Sequence, residues 1–262
     1  MTELLHILEA EMERPQPYGA FHICAFALVI AAAALMFVFR DANDRAFRII
    51  CFAFWLVLLL FEAYKQIIFS FNYNGGEPFW DYEWYAFPFQ LCSAQLYVLP
   101  FVFLSKEGGT VRRASSAFLA TYSFFAGAAV MFYPVSVFIE TVGINIQTMV
   151  WHGSQIILGV FLLARNRKEL NRRFFLSGAA VFLIMVAVAM TLNLTVPHIT
   201  DETFNMFFIS PYFPSTLPVL DIIYPLVPWP VFFMIYLIGY TLAAFLVLLA
   251  AKGLSRLFKR KK

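Results

Sequence analysis

Cys92 and His152 are the residues of this chain whose types could make a nucleophile and its base. Cys92 lies in FPFQLCSAQLYVLP, residues 87–100, an apolar stretch that also holds Gln90, Ser93 and Gln95. His152 lies further on, in the apolar stretch MVWHGSQIILG. Polar groups left unsatisfied in hydrocarbon are costly, so polarity inside such stretches calls for a reason. A thiol becomes a useful nucleophile when a nearby base or positive charge favours its thiolate. His152 can serve as that base, and Lys65 can favour the anion. Attack on an ester carbonyl would create an oxyanion, to which Gln90, Ser93 or Asn145 could donate hydrogen bonds. The corresponding reaction is acyl transfer through a thioester: an acyl chain moves from a lipid to Cys92, then to a hydroxyl or to water.

The elements that must position these groups are membrane spans. The chain has 262 residues, of which 61% are hydrophobic and 13% charged, against about 25% charged in soluble domains. Apolar runs near 19–39, 48–72, 85–104, 115–138, 143–164, 174–195 and 229–251 are each long enough to cross about 30 Å of hydrocarbon. The fold expected is all-α, a polytopic bundle of seven transmembrane helices forming one domain over residues 1–262. Of the 19 Lys and Arg, all but Arg14 and Lys65 follow spans one, three, five and seven. The acidic Glu77, Asp81, Glu83, Glu140, Asp201, Glu202 and Asp221 collect on the other side. By the positive-inside rule the N terminus is outside and the C terminus cytoplasmic.

Three segments flank the spans. Residues 1–17 form an acidic N-terminal tail with no signal-peptide pattern; Leu4, Leu5, Ile7, Leu8 and Met12 are weakly amphipathic, so a surface-lying helix and a frayed tail both remain open. Residues 196–228 are apolar but rich in proline, which predicts an outer lid of short helices or a re-entrant segment. Residues 252–262 form a basic cytoplasmic tail, read as a topology signal against anionic lipid rather than as a nucleic-acid contact.

Depth follows from span position. At 1.5 Å per residue, Cys92 lies about 10 Å below the outer surface, His152 about 13 Å, Lys65 about 10 Å and Glu62 about 15 Å. His22, Gln90, Asn145, Gln155 and Asn193 fall in the same outer layer, and the inner half is almost free of such groups. Ionisable side chains avoid lipid, so these faces point into the bundle. Each residue also has a plainer use: Cys92 as a small buried side chain, His152, Asn193 and the glutamines as interhelical hydrogen-bonding groups, Glu62 and Lys65 as a mutually neutralising pair. A zinc site from His22, Glu62, Cys92 and His152 competes for the same residues. It would draw on four spans with no HxxxH or HExxH pair, and no metal or other cofactor is expected. Span seven has no lysine for a retinal Schiff base.

FPFQLCSAQLYVLP resembles the signature of the YwaF-like bacterial integral membrane proteins, which are related to the eukaryotic transmembrane protein 164 family. Further resemblances are the early His22, the Glu62 helix, MVWHGSQIILG, and Asn193 followed by FNMFFISPYFPSTLP at 204–218, which contains Asn205. The resemblance implies a seven-span fold similar to membrane lipid hydrolases, and acyltransferase chemistry on ether phospholipids with a Cys–His pair at Cys92 and His152. The family's usual histidine two residues before the cysteine is Gln90 here, which leaves His152 as the base. The expectation is a lipid acyltransferase or acyl hydrolase of the outer leaflet. Its partners would be a phospholipid acyl donor and a lysolipid or hydroxyl acceptor, with no nucleic acid and no defined protein partner. His22, Glu62, Lys65, Gln90, Ser93, Asn145, Gln155, Asn193 and Asn205 would support the site, in a multi-pass protein of the bacterial plasma membrane. The alternative is a binding or transport protein for a small molecule or lipid that uses the same polar layer.

Overall fold

The structure, a computed structural model, describes residues 2–74, 76–200 and 202–259. Arg260, Lys261 and Lys262 at the end of the basic tail, with Gly75 and Asp201, lie outside the described residues. The chain is mostly helical. In order the elements are α1 (Thr2–Leu8), α2 (Ala20–Val38), α3 (Asp44–Ser70), β1 (Phe71–Asn74), β2 (Glu77–Trp80), α4 (Ala94–Leu104), α5 (Thr110–Phe118), α6 (Phe124–Phe132), α7 (Val142–Arg165), α8 (Arg172–Thr195), α9 (Pro197–Thr200), α10 (Leu220–Ile223) and α11 (Trp229–Lys259). Among the described residues six helices are long and apolar enough to cross a membrane: α2, α3, α5 run on into α6, α7, α8 and α11.

The expected continuous span at 85–104 is not continuous. Only Ala94–Leu104 is a regular α-helix there, and 11 residues reach about 16 Å, roughly half the hydrocarbon thickness. Pro88 is the physical cause: it has no N–H to give and disfavours helix at Phe87. The chain enters through the short 3-10 turn Trp84–Ala86, bends irregularly, and turns at Leu91–Ser93 before α4 begins. Irregular backbone is tolerated at membrane depth only when protein surrounds it, and Ala86, Phe89, Leu91, Ser93 and Ala94 are all buried. The span expected at 115–138 ends earlier, at Phe132, because Pro134 pushes Tyr133 out of helical geometry. A π-helical stretch, Leu119–Ser123, joins α5 to α6.

Helix α7 is the central post. Within its membrane-length window 72% of residues are buried, against 17% in α2 and 22% in α3. It packs on α2, α3 and α6, while α4 packs on α3 and α5, and α5 on α8. With lipid outside, close packing and interhelical hydrogen bonds hold such a bundle rather than water exclusion. At one end Arg48 donates to the carbonyls of Phe103 (2.6 Å) and Ser105 (2.9 Å), capping the C-terminal end of α4. Asp44 accepts from Arg48 at 2.7 Å and also pairs with the buried Arg112, so the starts of α3 and α5 are fastened to the end of α4.

At the other end the N-terminal segment is docked. Leu5 is buried, Tyr64 donates to the Leu8 carbonyl at 2.7 Å, and Tyr73 of β1 donates to Glu9 at 2.7 Å. Glu11 bridges Thr141. Strands β1 and β2 form an antiparallel hairpin with Phe71 opposite Trp80, an element the apolar periodicity does not announce. Residues 196–228 contain only short helical pieces, with Phe207, Phe208 and Val219 in the left-handed region of backbone space.

Candidate functional site

The break before α4 positions Cys92. Residues 90–93 form a turn in which Ser93 and Ala94 donate backbone N–H groups to the Gln90 carbonyl, and Cys92 sits just ahead of the first turn of α4. A helix N-terminus presents the positive end of its dipole, which stabilises negative charge that develops beside it. The Cys92 carbonyl, having no helical partner, is taken by two side chains of α7: Trp151 Nε1 donates to it at 3.1 Å and Gln155 Nε2 at 3.2 Å. Gln95 returns the contact by donating to the Trp151 carbonyl at 3.1 Å. These bonds straddle His152, which occupies the next position after Trp151, and so lock the thiol-bearing turn to the imidazole-bearing helix.

His152 is oriented from within α7. Its Nδ1 lies 2.8 Å from the Thr148 carbonyl. A carbonyl can only accept, so in the neutral ring Nδ1 carries the proton and Nε2 carries the lone pair. Among the described residues Nε2 has no hydrogen-bond partner. Cys92, His152 and Gln90 line one cavity of about 630 Å³. Its other walls are the α6 face at Phe125, Ala126 and Ala129, the segment at Phe207, Phe208 and 216–220, and the α11 face at Tyr236, Gly239 and Tyr240. Few polar groups converge in a mostly apolar space, the usual form of a small-molecule site.

The polar layer seen in the sequence divides into two groups. Gln90, Cys92 and His152 line the cavity; Ser93 lies beside the thiol, within hydrogen-bonding reach of it. The remainder hold irregular backbone in place. Asn145 uses both ends of its amide on Ile139, accepting from its N–H at 3.0 Å and donating to its carbonyl at 2.7 Å, so it is not free to serve an oxyanion. Asn193 clasps Met206 in the same way. Asn205 accepts from Ser210 N–H and donates to the Pro214 carbonyl. Gln90, though in the cavity wall, spends its amide on the Asn205 carbonyl and the Phe207 N–H. Gln155 donates to Ser123 at 2.9 Å as well as to Cys92. His22 accepts from Tyr18 N–H and donates to the Met131 carbonyl, both at 3.0 Å. With both ring nitrogens engaged away from the cavity, His22 does not complete a zinc set with Glu62, Cys92 and His152, and among the described residues no other metal-holding group is assembled.

Glu62 and Lys65 are not part of the cavity wall. Lys65 pairs with Glu62 Oε1 at 2.8 Å, and Gln66 donates to the same oxygen at 2.7 Å. The pair is close enough for its field to reach Cys92, and Lys65 close enough to act on His152. Three contributors carry little signal in the sequence. Trp151 holds the Cys92 carbonyl, and its only signal is adjacency to His152. Tyr236 and Tyr240, four residues apart on α11, face the cavity, but aromatics at helical spacing read as packing.

Small residues allow α6 to come close enough to α7. A Cβ added at Gly127 would lie 2.6 Å from the His152 carbonyl and 2.5 Å from Gln155 Cβ. Gly127→Val is therefore expected to push α7 away, lower the melting temperature by the equivalent of about 1–3 kcal/mol, and slow Cys92 alkylation by a membrane-permeant maleimide. Unchanged melting and alkylation would show that the helices do not need this approach.

Fold and site together define a polytopic helical membrane protein with a polar centre built at a broken helix. The chain belongs to the TMEM164 family, whose sequence profile matches residues 17–250. The match covers every residue that lines the cavity. No curated protein and no solved structure matches the chain.

Proposed function

We propose that this protein is a lipid acyltransferase or acyl hydrolase in which Cys92 is the nucleophile and His152 the general base. The observation that carries the reading is the shared cavity, with His152 Nε2 left unpartnered while Nδ1 is pinned to Thr148. Membership of the TMEM164 family supports it, given the acyltransferase chemistry that the Cys92 and His152 motifs imply. The Nε2 lone pair takes the thiol proton as sulfur attacks the ester carbonyl of a phospholipid. The tetrahedral intermediate collapses with cleavage of the C–O bond, and the protonated imidazole returns the proton to the departing lysolipid oxygen. An acceptor hydroxyl or water then gives its proton to His152, attacks the thioester and releases Cys92. Access for an acyl chain runs between α6 and α11, where a side chain at Gly239 would meet nothing within 4 Å.

The topology belongs to the same proposal. Counting the broken segment 85–104 as the third span gives seven, with the N terminus outside. The basic connectors then fall on the cytoplasmic side, and Cys92 lies in the outer leaflet of the plasma membrane at about the depth of phospholipid ester groups. The binding or transport alternative is less well supported, because Glu62 and Lys65 neutralise each other outside the cavity wall.

The test is thioester trapping. Purified full-length protein incubated with an alkynyl-acyl phospholipid is expected to carry a label that hydroxylamine removes and that Cys92→Ala lacks. Equal labelling of Cys92→Ala, or an unlabelled wild type, overturns the proposal.

A further inference from the structure

Helix α11 brings an unexpected hydroxyl to the cavity. Tyr236 is fully buried, it lines the cavity with Cys92 and His152, and among the described residues its phenol has no hydrogen-bond partner. Tyr240 lies beside it, with ring centroids 4.5 Å apart; the two hydroxyls are near enough to act on one another but fall outside the distance and angle of a formed hydrogen bond. The phenol lies within electrostatic reach of the Cys92 thiol. A buried hydroxyl without a partner costs free energy that phenylalanine would avoid, and this chain uses phenylalanine at 32 positions.

We propose that Tyr236 donates its O–H to the carbonyl oxygen of the bound acyl ester and stabilises the oxyanion formed when Cys92 attacks. This rests on the Cys92–His152 reading and assigns the oxyanion donor within it. Two of the three sequence candidates for that task are engaged elsewhere: Asn145 with Ile139 and Gln90 with Asn205 and Phe207; the third, Ser93, is directed at the thiol itself. The balance of the step is complete. The S–C bond forms, the carbonyl π pair moves to oxygen, the thiol proton goes to His152 Nε2, and the Tyr236 proton stays on its phenol, shared with the oxyanion. Collapse restores the carbonyl and expels the lysolipid oxygen, which takes the proton from His152. The ligand class is an ester whose carbonyl lies at the junction of an apolar chain and a polar head.

The experiment compares wild type and Tyr236→Phe in three measurements: thermal unfolding, alkylation of Cys92 by iodoacetamide, and the rate of hydroxylamine-sensitive labelling by an alkynyl-acyl phospholipid. Iodoacetamide alkylation uses the thiol and His152 but displaces iodide at a saturated carbon, so no oxyanion forms and the acyl-carbonyl donor is not needed. The expected result is unchanged or higher melting temperature, unchanged alkylation, and acylation slower by about 10²–10³-fold, the usual cost of one oxyanion donor. Installing 3-fluorotyrosine at 236, which keeps the shape and has a more acidic phenol, should retain or raise the rate, and it replaces the Phe variant if that fails to fold. Wild-type acylation in Tyr236→Phe overturns the Tyr236 assignment alone. Equal loss of alkylation and acylation also overturns it, by making the residue structural. A wild type that takes no label on Cys92 overturns the Cys–His reading and this assignment with it.

Discussion

Replacing His152 with alanine is expected to slow acylation of Cys92 by about 10²–10⁴-fold, the range a positioned general base contributes. The ring is fixed by the Thr148 carbonyl at 2.8 Å, and in the proposed mechanism its other nitrogen takes the thiol proton. Alanine removes the lone pair while leaving Trp151 and Gln155, which hold the Cys92 carbonyl from positions on either side. The thiol-bearing turn should therefore stay in place, and the loss should fall on chemistry rather than folding. The double variant Cys92→Ala/His152→Ala should be no less active than Cys92→Ala alone, because residues acting as one unit are not additive. The measurement is single-turnover labelling with an alkynyl-acyl phospholipid. A rate within threefold of wild type in His152→Ala, with normal melting, would remove the imidazole from the mechanism. Raising the pH should partly restore His152→Ala, since hydroxide can then deprotonate the thiol without help, whereas a merely structural histidine would show no such recovery.

Span positions are readable in the sequence because hydrocarbon thickness dictates a run of about 20 apolar residues, and α2, α3, α7, α8 and α11 satisfy that rule with their charges in the connectors or at helix ends, apart from the Glu62–Lys65 pair inside α3. The break in the third span is not readable from hydropathy. The segment 87–100 is apolar enough on average to pass for a span despite Gln90, Ser93 and Gln95, and Pro88 is the residue that hints that apolarity and helicity part company there. That distinction decides the site: in a continuous helix the Cys92 carbonyl would bond along its own helix, and Trp151 and Gln155 would have nothing to hold.

The polar layer is legible as a layer, because depth depends only on counting residues along spans. Its division of labour is not, because an amide that clamps a loop and an amide that binds a ligand are the same residue type. Asn145, Asn193 and Asn205 all meet backbone groups of irregular segments, which must be satisfied locally when no water is present. Tyr236 escapes for the opposite reason. A phenol one turn from another phenol looks like packing, and its lack of a partner is visible only in three dimensions.

The second large effect is expected at Asn193. Its side chain is fully buried, accepts from the Met206 N–H at 2.6 Å and donates to the Met206 carbonyl at 2.9 Å. Immediately beyond Met206 the chain passes through Phe207 at φ 58° and Phe208 at φ 57°, each costing about 1–3 kcal/mol for a non-glycine residue. That strain persists because the segment is held from outside: Asn193 at Met206, Gln90 at Phe207, and Asn205 at Ser210. Asn193→Leu preserves volume but strands two buried backbone groups, at about 1–3 kcal/mol each. The strained turn should then relax towards ordinary geometry and withdraw Phe207 and Phe208 from the cavity wall. The melting temperature should fall clearly, and Cys92 should react faster with a charged, water-soluble methanethiosulfonate while acyl transfer from phospholipid slows. Opposite movement of these two rates separates loss of the cavity wall from simple unfolding, which would raise thiol reactivity only in the fraction that has melted. If Asn193→Leu melts like wild type and both rates hold, the clasp is dispensable and the wall must be held by Gln90 and Asn205 alone.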